Sequence, residues 1–467
     1  MQVSKKKRIN YHLIKEKKYL KKQRRLKRHL KIKHYSYNPN DQYDPYSTVI
    51  PNIYPKRKLK NSFKFKLQRP KYSENILHLS SDENIFSNNK YPPISYLLVP
   101  KCFSFIENSE ESFDFLKKLF YSIKSEKCKD ITIDYKECTR IDVDASILMD
   151  VILMEFKDYL NQCHKNGIHI NPRSLTPKNF KGEIEKILFS IGAFRNVAGF
   201  DFSYNDVISL PVLINDNRSA NVWSKSELHQ TKIVEHIKTC LKRMNRTLSI
   251  NSETEFYKII GEIMNNAEEH GTMPFRYAIG MFHDINKPGN HFGVFNLTIF
   301  NFGKSIYEKF NSPDCKNQSV VQQMKELSGE FTRKGWIKKA EFEEETLWTL
   351  YALQEGVTST PSKRGNGSIQ FIENFFKLKG SENPDDISKM VIISGNTRIE
   401  FDGTYEIKEK ITSSGKKPYK LVTFNESADF NEPPDKKFVK FAPNYFPGTL
   451  LSVRILMNYQ NTTNETT

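Results

Sequence analysis

Glu262 and Asn266 stand four residues apart in the run Glu262-Ile263-Met264-Asn265-Asn266, which continues to His270-Gly271. On a helix that spacing puts a carboxylate and a carboxamide on one face. Magnesium takes oxygen ligands and keeps several waters, so the amide oxygen of Asn266 together with phosphate oxygens would complete its shell. A carboxylate one turn earlier would orient or deprotonate a water attacking a terminal phosphate, a reaction in which positioning and electrostatics dominate the rate. Two further segments follow in order, Asn301-Phe302-Gly303 and Lys363-Arg364-Gly365-Asn366-Gly367. Gly303 permits a backbone turn close to a planar base. Gly365 and Gly367 precede a helix whose free N–H groups can hold phosphate oxygens, and Lys363 and Arg364 add positive charge there. Taken singly, a Glu and an Asn at this spacing usually mark a solvated helix face, and a lone Gly-x-Gly is usually a turn. The order of the segments and the strands between them carry the weight.

Those strands and helices are legible in the apolar periodicity. Residues 227–244 and 253–269 predict two helices, the second with its apolar face at Phe256, Ile259, Ile260, Ile263 and Met264. Strands over 276–282 and 292–300 flank Lys287-Pro288-Gly289-Asn290 and predict a hairpin. A long insertion has helical character over about 316–328 and 338–354; a helix over 368–376, a hairpin turning at Ser394-Gly395-Asn396 and a last strand after Pro447-Gly448-Thr449 follow. Upstream, Tyr96-Leu97-Leu98-Val99 and residues 131–135 read as strands, as does Ile168-His169-Ile170, while 113–123, 145–160 and 184–194 have helical spacing. Alternation of this kind predicts a small α/β layer. No internal repeat is visible.

The later segments resemble the GHKL ATPase domain shared by histidine kinases, type II topoisomerase subunits, a class of heat-shock chaperones and anti-sigma serine kinases. The matching residues are the helix motif from Glu262 to Gly271, the strand-end motif from Asn301 to Ile306, the glycine motif with its preceding Gln354-Glu355-Gly356-Val357-Thr358-Ser359, and the terminal Pro447-Gly448-Thr449. The resemblance implies ATP and Mg²⁺ as cofactors, Asn266 as metal ligand and Glu262 as catalytic carboxylate. Nucleotide contacts would come from Asn266, His270, Asn301, Gly303, Lys363, Arg364, Gly365, Gly367 and Thr449. Asn301 would recognise adenine with support from Thr449, and residues 304–364 would form a mobile lid. The family usually has Asp where Asn301 stands and a second Gly where Ser305 stands. An Asn oxygen can still accept from the adenine amino group, and its NH₂ can donate to a ring nitrogen. The implied activity is an ATPase, a protein kinase or an inactive ATP-binding scaffold, with homodimerisation as in several relatives.

The first α/β block resembles a STAS domain, the fold of anti-anti-sigma factors, on the strand at 130–135, the segment Arg140-Ile141-Asp142-Val143-Asp144-Ala145-Ser146 leading into a long helix, and Leu188-Phe189-Ser190-Ile191-Gly192-Ala193-Phe194. In that family the turn before the helix carries a phosphorylatable serine. Here that position falls at Val143 or Asp144, and Ser146 comes later in the chain. Ser146 reads either as a regulated serine or as an N-cap or first-turn residue in a docking layer. The expected fold class is therefore α/β: a STAS-like layer over 95–204, then a GHKL (Bergerat-type) α/β sandwich ATPase domain over 205–457. A basic arm and linker (1–94) precede them and a disordered tail (458–467) follows.

The chain of 467 residues carries a net charge of +18, unevenly spread. Residues 5–34 hold fifteen Lys and Arg against Glu16 alone, and residues 56–71 add eight more without an acid. With Asp41 and Asp44 subtracted, the first 71 residues carry +20 and the remainder is nearly neutral. Residues 5–34 read as a basic helical arm, and residues 35–95, rich in Tyr, Pro, Asn and Ser, as a poorly regular linker with Phe63 and Phe65 in an edge strand. Such an arm would make salt-dependent contacts with a phosphate backbone, and Tyr35, Tyr37, Phe63 and Phe65 would stack on unpaired bases. A solvated or membrane-attracted polybasic tail is the competing reading.

Six scattered cysteines without a C-x-x-C pair fit reduced thiols in a cytoplasmic protein, and Cys163-His164 lacks a second pair at zinc-ligand spacing. No apolar run reaches the length of a membrane span or follows the basic N-terminus as a signal core, so a soluble, unexported protein is expected. His229 and His236 precede the motif helix but are followed by Gln230 and Ile237 rather than by the acid usual in histidine kinases, so the resemblance does not extend to a phosphoacceptor histidine. They read as surface or capping histidines. A protein partner would dock through the STAS-like layer, with control of the nucleotide lid within one chain as the expected consequence.

Overall fold

The computed structural model describes residues 69–81, 92–200, 202–219, 221–270, 272–332, 341–359, 367–379, 385–411 and 418–459. All of these residues belong to one compact unit within Ile50–Thr467. The arm and the edge strand expected at Phe63 and Phe65 lie outside the described residues. Parallel and antiparallel sheets are both present, in a mixed α/β architecture.

The first layer is built on three parallel strands in the order β1 (Tyr96–Leu98), β3 (Asp130–Asp134), β5 (Ser174–Lys178), beside a parallel pair of β2 (Cys102–Phe103) and β4 (Arg140–Ile141). Parallel neighbours need crossovers. Helices α2 (Ser109–Lys124) and α3 (Val143–Lys165) supply them, and α1 (Glu74–Leu79) packs on α3 within the stretch expected to be irregular. Residues 168–170 are not the third strand. Ser174-Leu175-Thr176-Pro177-Lys178 is, because at the sheet edge a proline without an N–H does not break the ladder. The helix expected over 184–194 is broken into α4 (Glu183–Ser190) and α5 (Ala193–Asn196). The backbone folds so tightly there that a Cβ on Gly192 would lie 2.8 Å from the Leu188 Cα.

Five antiparallel strands follow in the order β6 (Val207–Asp216), β7 (Phe275–Lys287), β8 (Asn290–Phe302), β12 (Val439–Asn458), β9 (Lys389–Phe401), with β10 (Lys408–Ile411) and β11 (Pro418–Leu421) paired in a separate hairpin. The expected β7–β8 hairpin is present, Lys287 pairing with Asn290 around Pro288 and Gly289. The expected hairpin at Ser394-Gly395-Asn396 is instead an irregularity within β9. Gly395 there takes a φ of +58°, and β12 slips register between Phe446 and Thr449. The distortion makes room: a Cβ on Gly395 would meet the Glu345 carboxylate at 2.1 Å.

Residues alternate between the two faces of this sheet. One face, with Ala278, Leu297, Ile299, Leu451 and Val453, forms the main core with α6 (Val222–Arg243), α7 (Ile250–His270) and α11 (Gly367–Lys377). The insertion adds α8 (Ile306–Phe310), α9 (Gln318–Thr332) and α10 (Glu344–Ala352). Leu347, Trp348, Leu350 and Tyr351 of α10 are buried in that core, and the Trp348 indole donates to Ser328 Oγ at 3.0 Å. In this structure the central part of the segment expected as a lid, α10, is packed into the core. Burial of such side chains contributes about 1.5–3 kcal/mol each, which a freely moving α10 would forfeit.

The other face receives the first layer, with α3 on β7 and β8 and α2 on β12. Its contacts are polar as well as apolar. Arg454 of β12, with its side chain 2% exposed, donates to Asp142 at 3.0 Å and to Glu107, and Arg398 donates to the Ile106 carbonyl at 2.7 Å. Asp142 also accepts from Ser104 at 2.6 Å and pairs with Arg140 at 3.0 Å. Removing one partner of a buried pair strands the other charge. Arg454→Ala is expected to lower unfolding stability by about 3–5 kcal/mol in urea titrations followed by tryptophan fluorescence, and a loss under about 1 kcal/mol would show the network to be a spectator.

Candidate functional site

The sequence motifs meet because two glycines let backbone approach backbone. Gly303 has a φ of +126°, and a Cβ there would lie 2.6 Å from both the amide nitrogen and Oγ1 of Thr272, just beyond α7. The next amide, Lys304 N, donates to Thr272 Oγ1 at 3.1 Å. The turn at Gly303 thus serves to join the end of β8 to the end of the motif helix. Gly448 has a φ of +149°, and a Cβ there would lie 2.0 Å from the Asn301 carbonyl oxygen. Register then sets Thr449 directly opposite Asn301.

Between these elements lies a cavity of about 180 Å³. Asn266, Asn301 and Thr449 all line it, as do Val357, Thr358 and Ser359 and, at the start of α11, Ser368. Ile263, Ile299, Phe371, Ile392 and Leu451 supply apolar walls. Asn301 is buried, and its side-chain amide donates to the Phe302 carbonyl at 3.2 Å. Glu262 is half-buried one turn before Asn266 but outside the lining, where its neighbour Ile263 stands instead. His270 ends α7 and Gly367 begins α11. Lys363, Arg364 and Gly365 lie outside the described residues.

Sequence reasoning missed two residues that build this site. Ser394, hidden in what reads as turn chemistry, links three elements: its hydroxyl lies 2.9 Å from Thr449 Oγ1 and 3.1 Å from the Gly448 carbonyl, and accepts from Ile306 N at 2.8 Å. Lys309 also lines the cavity. A signal for α8 was available in Ser305-x-x-Glu308, which forms a capping box: Ser305 Oγ accepts from Glu308 N at 3.2 Å and Glu308 accepts from Ser305 N at 2.6 Å. Ser305, in place of a second glycine, starts this helix. The loop behind it is pinned by Gln354, which donates to the Leu350 and Val422 carbonyls and accepts from Val422 N at 2.9 Å.

The lining combines apolar walls with the amides of Asn266 and Asn301 and the hydroxyls of Thr358, Ser359, Ser368 and Thr449. Apolar walls beside one amide and one hydroxyl fit a planar base with an amino group, while Asn266 offers an oxygen to a hard cation. Among the described residues no group of three or more His, Cys, Asp and Glu could hold a metal alone, so Mg²⁺ would need phosphate oxygens. A larger hollow of about 350 Å³ lies along α3 at Asp158, Asn161, Gln162, His164 and Lys165, but a single helix lines it and no groups converge there.

The first layer offers no accessible serine at its motif. Ser146 is 1% exposed in the first turns of α3, whose N-cap is Asp142, and Asp144 beside it is fully buried. Burial and the neighbouring Asp142 push the Asp144 carboxyl up to about 7 although it accepts from Phe105 N and Ala145 N. All six cysteines are free thiols, and no helix among the described residues is long and apolar enough to cross a membrane.

His229 and His236 are not surface residues. They are 8% and 5% exposed, on the core side of α6, with His236 against Phe295 and closely fitted to Gly280. Helical spacing of seven puts both on one face, and that face is the buried one. Compared with known proteins, the chain finds no counterpart: no family model, no curated protein and no solved structure matches it.

Burial lowers both imidazoles to about 4. A histidine held neutral in the fold takes its proton first in the unfolded chain, so its stabilising contribution is complete above about 6.5 and is lost as pH falls toward the folded value. Asp144 acts with the opposite sign over the same range, because its raised carboxyl pKa favours the fold as pH falls. The difference between variant and wild type is therefore the readout. His236→Leu is expected to recover stability on the order of 3 kcal/mol at pH 4 relative to pH 7 when compared with the wild type by urea titration. Parallel pH dependences in the two proteins would contradict a buried neutral imidazole.

Proposed function

We propose that residues 205–457 form a GHKL-type module that binds ATP with Mg²⁺ and uses the nucleotide as a conformational switch, with the STAS-like layer on the opposite face of the sheet as its regulatory or docking partner. One observation carries the reading: Asn266, Asn301, Val357-Thr358-Ser359 and Thr449, drawn from four separate sequence motifs, line a single cavity. Asn266 would complete the shell of a phosphate-bound Mg²⁺, Asn301 and Thr449 would hold the base, and Glu262 would act on the attacking water. The burial of Ser146 favours a binding or ATPase switch over phosphoryl transfer to this layer.

The basic N-terminal 71 residues carry a separate proposal, contact with nucleic acid, supported by their charge of +20 and interleaved aromatics. A cytoplasmic setting goes with it.

Isothermal titration of the full chain with ATP and Mg²⁺ tests the pocket. Asn266→Ala is expected to abolish the Mg²⁺-dependent part of binding, and Glu262→Ala to keep affinity while losing any phosphate release; a wild type that binds no ATP overturns the reading. For the arm, removal of residues 1–71 is expected to weaken binding to a single-stranded oligonucleotide and flatten the dependence of log K on log salt. An unchanged slope would acquit the arm.

A further inference from the structure

Lys309 is the one charged side chain among the described residues that line the cavity. Helix α8 directs it there. Ile306, Lys309 and Phe310, at positions i, i+3 and i+4, form the cavity face of that helix. The opposite side is held by other bonds: the Tyr307 hydroxyl donates to Glu344 at 2.9 Å, and Glu308 accepts from Ser305 N at 2.6 Å and from the Tyr445 hydroxyl at 2.9 Å. The acid next to Lys309 in sequence is thus engaged elsewhere, and no carboxylate among the described residues pairs with the ammonium. From α7, β8, β9, β12, the end of α10 and the start of α11, the cavity-facing residues are all uncharged. Glu308 alone pulls the ammonium up, and burial outweighs it, lowering Lys309 to about 7.

Lys309 is half-buried, and its stem gives the pocket no packing that leucine or methionine would not give, while the hydration its unpaired ammonium loses is a cost. A ligand that brings negative charge removes that cost. We propose that Lys309 is the anion-recognising group of this cavity, so that the pocket selects a phosphate-bearing nucleotide over the uncharged nucleoside. The inference rests on reading the cavity as a nucleotide pocket, and it assigns the ligand's charge to a residue outside all of the sequence motifs. Binding at alkaline pH would then draw a proton onto Lys309, since the ion-paired ammonium is favoured once phosphate is beside it.

The test uses the full chain and the probes ADP and adenosine, titrated calorimetrically into wild type, Lys309→Met and Lys309→Arg. Wild type is expected to bind ADP at least about tenfold more tightly than adenosine, Lys309→Met to lose that preference through weaker ADP binding alone, and Lys309→Arg to keep most of it. Retained adenosine binding is the check that Lys309→Met is folded. Proton uptake by the wild type on binding ADP at pH 8, read from two buffers of different ionisation enthalpy, is an independent measurement that requires no variant. Equal affinities for ADP and adenosine in the wild type, or no proton uptake, would overturn this assignment while leaving the nucleotide pocket standing. A wild type that binds neither probe would remove the pocket reading and this assignment together.

Discussion

The pairing of β12 with β8 where Gly448 meets Phe302 and Thr449 meets Asn301 is the constraint on which the site depends. No side chain larger than hydrogen fits at 448, because a Cβ would fall 2.0 Å from the carbonyl oxygen of Asn301. A one-residue slip would turn every side chain of β12 to the other face. Thr449 and Leu451 would then leave the cavity, and Arg454 would be forced into the apolar core. The irregularity in β9 and the hydroxyl of Ser394 reinforce the same register, since Ser394 touches Thr449, Gly448 and the first turn of α8 together.

That sheet has two chemically unlike faces, each covered by a different part of the chain. The cavity side is apolar apart from a few amides, hydroxyls and one lysine. The reverse side carries Arg454 and Arg398, paired with Asp142, Glu107 and Glu400, and Arg398 also donates to a backbone carbonyl. Alternation along β12 places Leu451 and Val453 against the core and Ser452 and Arg454 against the first layer. A displacement of β12 at either face would be felt at the other because the strand is shared. The first layer thus packs on the same strand that lines the pocket, and its buried Asp144 hydrogen-bonds Ser452 of that strand.

Where the sequence was read correctly, the signal was local. The β7–β8 hairpin follows from Pro288-Gly289 between apolar runs, and α7 from an apolar residue at every third or fourth position. The readings that failed needed distant information. Ser174-Leu175-Thr176-Pro177-Lys178 has no strand pattern and is extended because β3 offers it an edge. Ser394-Gly395-Asn396 has turn chemistry but bends a continuous strand around Glu345. His229 and His236 are polar by type, yet α6 turns that face inward.

The sequence by itself determined the order and spacing of the chemistry-bearing residues, the apolar faces of the long helices and the concentration of positive charge before residue 72. These are properties of composition and short-range periodicity. Only the tertiary structure decided that Asn266, Asn301 and Thr449 share one cavity, that Glu262 stands outside its lining, and that Lys309 enters it without an acidic partner. The reason is that convergence depends on strand register and on close backbone approach at Gly303 and Gly448, which join residues far apart in the chain and leave no periodic trace within it.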